Sequence, residues 1–561
     1  MSFSTRYASA VLITVFSLAI TVSGQSANTQ VAKSPRGSVS GRVTIKDKPA
    51  VGVAVSLRKG DMMNPWEQYL KGTTDQDGFY RIANVPPGSY EVAPAAPAFV
   101  SADTQRGKNV VVGEDENVEG VNFSLIRGGV ITGKITDADG RPVIQQQVNL
   151  FLAEAFAQAQ QQQQPVRQIF PASNTQTDDR GIYRIYGLRA GCYKVATGRS
   201  DDVFTAGFNQ TRATYKQVFH PDVTEQAKAT IIEVTEGSEA ANVDIRLGAT
   251  LQTFSVSGRI VDAEGLPKAN IHFAVQRISG QRGEFINPPL TSNAQGEFYT
   301  EGLVPGKYQV YLFQEMNGDL RAEGVTFDIL DQDVSNVMIK LTRGASLSGV
   351  VVLESEDKAA LQKLLTMRLL GHVPTTGGAA FFNQSSSSTI SPDGSFRLGG
   401  LPAGSAVVQL QSMMGPFDLK GFAISRIERD GVVLPRGIEL REGEHIGGLR
   451  VVVAYGNGSI RGVVKVENGT IPAGGQMYVR LAKPGDNNYS GLRPGPVDSR
   501  GQFLMEGIPP GTYEVAVTIF GMRTTPSTAA KREVNVQDGV VTDVVLTVDV
   551  STLQAPTPPK P

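Results

Sequence analysis

The side chains able to carry chemistry are few in this chain and widely spaced. Of 561 residues, four are histidine and one is cysteine. His220, His272, His372 and His445 stand far apart, and none lies in an H-E-x-x-H or H-x-E pattern, so the spacing that aims imidazoles at one metal ion is missing. A lone Cys192 excludes a disulfide framework and a Cys-rich zinc or iron–sulfur site. No G-x-S-x-G elbow presents a nucleophilic serine. Asp75-Gln76-Asp77-Gly78 and Asp137-Ala138-Asp139-Gly140 carry paired acids, yet neither continues to the terminal Glu of a calcium loop. Asp-Gly is also what a tight turn selects on conformational grounds alone. The stretch from Gly128 to Ile135 approaches a phosphate-binding loop, but Ile135 stands where Ser or Thr is required. Trp66, the single tryptophan, lies with Tyr69 in Met62-Met63-Asn64-Pro65-Trp66-Glu67-Gln68-Tyr69. Exposed aromatic faces stack on sugar rings, which makes Trp66 and Tyr69 the candidate ligand-binding residues. The competing reading is that Trp66 caps a core or an interdomain contact. No catalytic residue, metal site or cofactor is expected.

These residues must be positioned by many short elements. Glycine is abundant at 61 residues and proline ordinary at 31, which points to tight turns inside folded domains. Lys and Arg number 53 against 54 Asp and Glu, for a net charge of −1, so a nucleic-acid or anionic membrane partner has no electrostatic basis.

Self-comparison supplies the organisation. Five segments share one pattern, beginning at Thr74 (TDQDGFYRIANVPPGSYEV), Thr177, Ser292, Ile390 and Val497. In each, two glycines stand ten residues apart: Gly78/Gly88, Gly181/Gly191, Gly296/Gly306, Gly394/Gly404 and Gly501/Gly511. Three places before the first glycine stands an Asx- or Ser-turn residue: Asp75, Asp178, Asn293, Ser391 or Asp498. Two places after it comes an aromatic: Tyr80, Tyr183, Phe298, Phe396 or Phe503. Alternating apolar residues follow, with Thr300 the exception, and the second glycine reads as a turn residue with positive φ. Tyr90, Tyr193, Tyr308 and Tyr513 recur beyond it, with Ala406 the departure. The segment therefore reads as a strand, a tight turn and a second strand, a hairpin. Upstream of each lies a second element: Ser40-Gly41-Arg42-Val43, Thr132-Gly133-Lys134-Ile135, Ser257-Gly258-Arg259-Ile260, Ser348-Gly349-Val350-Val351 and Arg461-Gly462-Val463-Val464. Downstream come two alternating runs joined by an acidic turn, as from Asn109 to Leu125. About seven strands per unit give an all-β chain, a tandem array of five β-sandwiches. Repeats two and four carry insertions, one Gln-rich (Ala153 to Pro165). The other, Ser355 to Leu370, fits a short helix or a strand from Leu365 onward.

The combination of S-G-x-V with T-D-x-x-G-x-F/Y-x-I-x-x-L-x-P-G-x-Y-x-V resembles the carboxypeptidase regulatory-like domain. That family is transthyretin-like (prealbumin-like), related to Cna B-type and starch-binding-like folds. The resemblance implies seven-stranded, transthyretin-like/Ig-like sandwiches that accompany catalytic or receptor domains in exported proteins. It does not supply a function.

The reading by segment is a signal peptide over 1–24 and a linker over 25–36. Sandwiches follow over 37–127, 128–249, 250–344, 345–456 and 457–550, with a Pro-rich tail over 551–561. Arg6, the apolar run Ala8 to Val22 and the small residues before Gln25 follow the order of an export signal. No later stretch is long and apolar enough to span a bilayer. The expectation is an exported, non-catalytic protein, periplasmic, cell-surface or extracellular, with a structural or adhesive role at the envelope. Its partner would be an envelope protein or a polysaccharide. Carbohydrate binding through surface aromatics is the alternative, and an accessory regulatory module of a carboxypeptidase-type system a weaker one.

Overall fold

A computed structural model of the chain describes residues 36–59, 70–102, 107–154, 168–169, 175–199, 215–279, 282–285, 290–313, 318–322, 325–374, 385–412, 419–434, 437–471, 475–484, 494–520 and 528–553. The signal segment, the Pro-rich tail beyond Leu553, most of the Gln-rich insertion, and Trp66 with Tyr69 lie outside them. Among the described residues the strands form ten sheets, and buried hydrophobic side chains gather into five large clusters, one for each repeat. The protein is all-β, and among the described residues a short α-helix spans Lys358–Leu364. That helix settles the second insertion. Asp357 caps it by accepting from the Ala359 and Ala360 amides, and a strand, Met367–His372, follows. The segment is thus a helix and then a strand.

Each repeat is built around its S-G-x-V strand. In repeat five, Gly458–Glu467 pairs antiparallel with Gln502–Ile508 and parallel with the last strand, Val541–Asp549. The second sheet joins Gln476–Ala482, Gly511–Phe520 and Thr528–Val536. Repeat five has seven strands; the other four add short ones, most of two to four residues. The recurring glycine of the first strand has a steric cause. A Cβ on Gly41, Gly133, Gly258, Gly349 or Gly462 would stand closer than 3.0 Å to one carbonyl oxygen in or just before the last strand: that of Val121, Val243, Val337, Leu449 or Val544. Only a residue without a side chain admits the neighbour that closely.

The first anchoring glycine ends a turn held by its acid. Asp75 Oδ1 accepts the amides of Asp77 at 2.9 Å and Phe79 at 2.8 Å; Asp178, Asn293 and Asp498 do the same in their repeats. Gly78, Gly181, Gly296, Gly394 and Gly501 all take φ between 70° and 83°, where a side chain is strained.

The second half of the motif departs from the hairpin expectation. Phe79–Val85 pairs with the first strand, whereas Gly88–Ala95 pairs with Ala54–Lys59 and Lys108–Val112 in the other sheet. The segment is a corner that carries the chain from one sheet to the other. Gly88, Gly306, Gly404 and Gly511 have the positive φ expected of a second turn glycine, and Gly191 does not. A further positive φ falls six residues after the first glycine, at Asn84, Gly187, Gly302, Gly400 and Gly507. There the register beside the first strand slips in all five repeats: Asn84, Gly187 and Gly507 are skipped alone, and Gly302 and Gly400 each together with the residue before it. The corner is fastened by its tyrosine. The Tyr90, Tyr193, Tyr308 and Tyr513 hydroxyls donate to the carbonyls of Pro86, Arg189, Val304 and Pro509, at 2.6 to 3.0 Å.

Burial also sets how Tyr80, Tyr183, Tyr193 and Tyr513 titrate. Loss of water raises Tyr80, Tyr183 and Tyr193 above the ordinary value of 10.0 and pushes Tyr513 up to about 12. A raised folded-state pKa gives stability that is fully present below pH 10 and is lost as pH rises through the folded value. Titration followed at 295 nm should therefore show these phenolates appearing above pH 10, together with loss of β-structure. A gradual ionisation at pH 10 with the fold intact would contradict their burial.

Candidate functional site

Trp66 and Tyr69, the expected ligand-binding pair, lie outside the described residues. The remaining chemistry-bearing side chains are engaged in the fold. Both acids proposed for calcium loops hold turns: Asp75 as above, and Asp137 by accepting the Asp139 amide at 2.9 Å and the Arg141 amide at 2.8 Å. Among the described residues no group of three His, Cys, Asp or Glu is gathered as a metal site would need. The glycine-rich stretch before Ile135 lies in the extended strand Gly129–Thr136, not in a loop that could wrap a phosphate. Cys192 is exposed, as its place beside the core residue Tyr193 predicts.

The histidines are spread over three repeats, with His372 and His445 both in the fourth. His220 Nδ1 meets the Asp244 carbonyl at 2.7 Å, and His272 Nδ1 meets the Thr291 hydroxyl at 3.1 Å. Burial lowers the pKa of His372. His445 has the most suggestive surroundings, and sequence reasoning missed them. Its Nδ1 lies 2.9 Å from Ser346 Oγ and its Nε2 3.3 Å from Ser348 Oγ. The two serines are two apart on the strand Ala345–Leu353, so they share a face, and parallel pairing sets His445 opposite Ser346. The signal was an S-x-S pair in the first strand. Ser346 also accepts from Arg397 at 3.3 Å, and Arg397 forms an ion pair with Asp319 of repeat three. A serine hydrolase needs the carboxylate on the imidazole. Here Asp319 serves Arg397 and, at 3.7 Å, Arg343, so the cluster ties two repeats together.

That junction is one of a series. In repeats one, three and four the last strand ends and the next begins after one or two residues: Gly128, Gly344, and Gly456 with Asn457. Each linker glycine donates its amide to a loop carbonyl of the repeat just completed. Gly128 reaches Ala98 at 3.0 Å, Gly344 reaches Asp319 at 2.9 Å, and Gly456 reaches Gly421 at 3.0 Å. The same loops abut the slipped strand of the next repeat. Pro97 O crowds Gly187, and Gly421 donates to the Gly507 carbonyl at 2.7 Å. Arg189 reaches back to the Ser101 carbonyl at 2.8 Å, and Lys420 pairs with Glu506 at 2.8 Å. At these three junctions a loop of one repeat is thus engaged by the repeat that follows.

Among the described residues no helix is long and apolar enough to cross a membrane. Comparison with solved structures returns a Streptococcal ancillary pilin at 14% identity and TM-score 0.25, covering 55% of this chain and 99% of that one. Two B repeat units of the collagen binding protein of Staphylococcus aureus match at 10% identity and TM-score 0.14, covering 76% and 99%. The Bacillus anthracis TIE protein matches at 14% identity and TM-score 0.15 over 55% of this chain, which spans about half (51%) of that protein. At such values the likenesses carry no argument, and the fold rests on the strand pairing above. No curated protein sequence matches the chain. A family description does: residues 38–125, which are the first repeat, match the carboxypeptidase regulatory-like domain, the family that all five repeats of the sequence resemble.

Proposed function

We propose that the chain is an exported, non-catalytic scaffold with a structural or adhesive role at the cell envelope. One observation carries the reading: three of its four connections pass from strand to strand through one or two residues, each fixed to the preceding repeat by a backbone hydrogen bond. Such connections hold neighbouring sandwiches at set distances and orientations. A chain of this kind can present several weak contacts to one partner, an envelope protein or a polysaccharide, and gain avidity without a deep pocket. The export reading rests on the segment from Met1 to Gly24, whose charge, apolar run and small residues match a cleavable signal.

Binding of purified mature protein to isolated envelopes tests this reading. The full chain should be retained at least about tenfold more strongly than a chain ending after Tyr455, as expected when several sites act together. Equal retention would argue against multivalent attachment. A second reading, carbohydrate binding, is favoured by the Trp66–Tyr69 cluster. On a glycan array, Trp66→Ala should leave any signal unchanged if the scaffold reading holds. Clear sugar binding abolished by that substitution would reverse the order of the two.

A further inference from the structure

The first and fifth repeats touch, although 387 residues separate the groups that meet. In repeat one, Lys108–Val112 is the edge strand of its sheet, paired on one side with Gly88–Ala95. An edge strand leaves backbone donors and acceptors open to another chain. At Val111 both are taken. The Val111 amide donates to Asp498 Oδ2 at 3.3 Å, and Arg500 Nη2 donates to the Val111 carbonyl at 2.7 Å. Arg500 is held by Asp498 at 2.9 Å and also donates to Glu116 Oε1 at 2.9 Å. One acid–base pair therefore satisfies the two backbone groups that a neighbouring strand would satisfy. Beside it, Glu506 lies 2.8 Å from Lys420 of repeat four and 4.0 Å from Lys59 of repeat one, so one carboxylate meets three repeats.

The chain contains its own comparison. Repeat two carries the same turn, Thr177-Asp178-Asp179-Arg180-Gly181, with the same pairing at 2.8 Å. There the Asp178 and Arg180 side chains are 36% and 72% exposed, whereas the Asp498 side chain is 2% exposed. The pair is thus compatible with a free turn, and its burial in repeat five comes from the docking.

We propose that the Asp498–Arg500 turn is a latch, and that the edge of Lys108–Val112 is a docking surface whose occupant is the fifth repeat of the same chain. The latch joins the two ends of the repeat array and covers a Lys-Asn-Val-Val-Val edge that would otherwise be open to strand pairing. The contact is independent of the identity of the envelope partner.

The test is the double variant Asp498→Asn with Arg500→Gln in the full chain. It copies the turn of repeat three, where Asn293 accepts the amides of Gln295 at 3.0 Å and Glu297 at 2.7 Å, so the turn itself is retained. Hydrogen exchange in a peptide spanning Lys108 to Gly113 should accelerate about tenfold or more, as expected when a local contact opens. The radius of gyration from solution scattering should rise, and the core strands of both repeats should keep their protection. The matching change in repeat two, Asp178→Asn with Arg180→Gln, should alter neither quantity. Unchanged exchange and dimensions in the repeat-five variant would overturn the latch, as would an equal response from the repeat-two variant. Protection of the Lys108 peptide that disappears on dilution of the unaltered protein would assign the edge to a second copy instead, and would equally overturn it.

Discussion

Gly349→Ala should destabilise the fourth repeat by about 3 kcal/mol or more, the upper end of what overpacking costs. A Cβ at Gly349 would stand closer than 3.0 Å to the Leu449 oxygen, carbon and Cα at once. These are backbone atoms of the paired last strand, whose partners run from Ser346 opposite His445 to Leu353 opposite Val453, with a register shift just before Gly349. No side chain can turn aside to relieve the contact, so the parallel ladder must part. Calorimetry should show the transition of this repeat shifted down, with exchange rising in Ala345–Leu353 and His445–Tyr455. Gly248→Ala is the matched control. Nothing lies within 4 Å of its Cβ and its φ is not positive, so a change within about 0.5 kcal/mol is expected. Equal small effects at the two sites would mean that the close approach does not explain the glycine.

Tyr308→Ala should cost about 3–5 kcal/mol in repeat three, the range for removing a large buried aromatic. Tyr308 is fully buried, stacks on Phe327 at 5.6 Å, and donates to the Val304 carbonyl at 2.6 Å. Tyr308→Phe separates packing from fastening. It keeps the ring and leaves the carbonyl without this donor, for an expected loss of about 1–2 kcal/mol. Repeat four provides the natural counterpart. It carries buried Ala406 in this place, within a cluster that adds Ala360 and Leu364 of the helix. Chemical denaturation of both variants, read against m-values that stay constant, would resolve the two terms. A Phe variant as unstable as the Ala variant would show that the corner depends on the hydroxyl alone.

Much of this architecture was legible in the sequence, and the gaps have physical reasons. Alternating apolar residues and paired glycines announced strands and turns, because burial on one face and positive φ are local demands on residue type. Whether two consecutive strands pair is not a local demand. Phe79–Val85 and Gly88–Ala95 read equally well as a hairpin and as a corner, and Tyr90 decides it by bonding back across the bend. The slipped position held a readable signal, Asn84 and four glycines six residues beyond the first anchor, all with φ between 58° and 77°. The Ser346–His445–Ser348 cluster had a weaker one, since nothing local places a histidine from 97 residues away beside two serines. The latch had least of all. Asp178-x-Arg180 and Asp498-x-Arg500 are alike as sequence, and only the tertiary fold separates the exposed pair from the docked one. Of the candidate ligand residues, Trp66 and Tyr69 lie outside the described residues and keep the standing that composition gave them.

The parallel pairing of first and last strands sets how the chain would bear tension. Because the two strands run the same way, pulling the ends of a repeat apart slides one along the other, and the rungs between them are loaded together instead of one by one. The length of that ladder differs widely along the chain. In repeat five it runs through nine paired positions, from Ser459 opposite Val541 to Glu467 opposite Asp549. In repeat four it has seven and in repeat three five. In repeat two it is broken into two pieces of two, Val130–Ile131 with Glu239–Ala240 and Ile135–Thr136 with Ile245–Arg246. A stretched chain would therefore lengthen first at the second repeat and last at the fifth, yielding in graded steps, with the two-residue rungs of repeat two acting as its fuse.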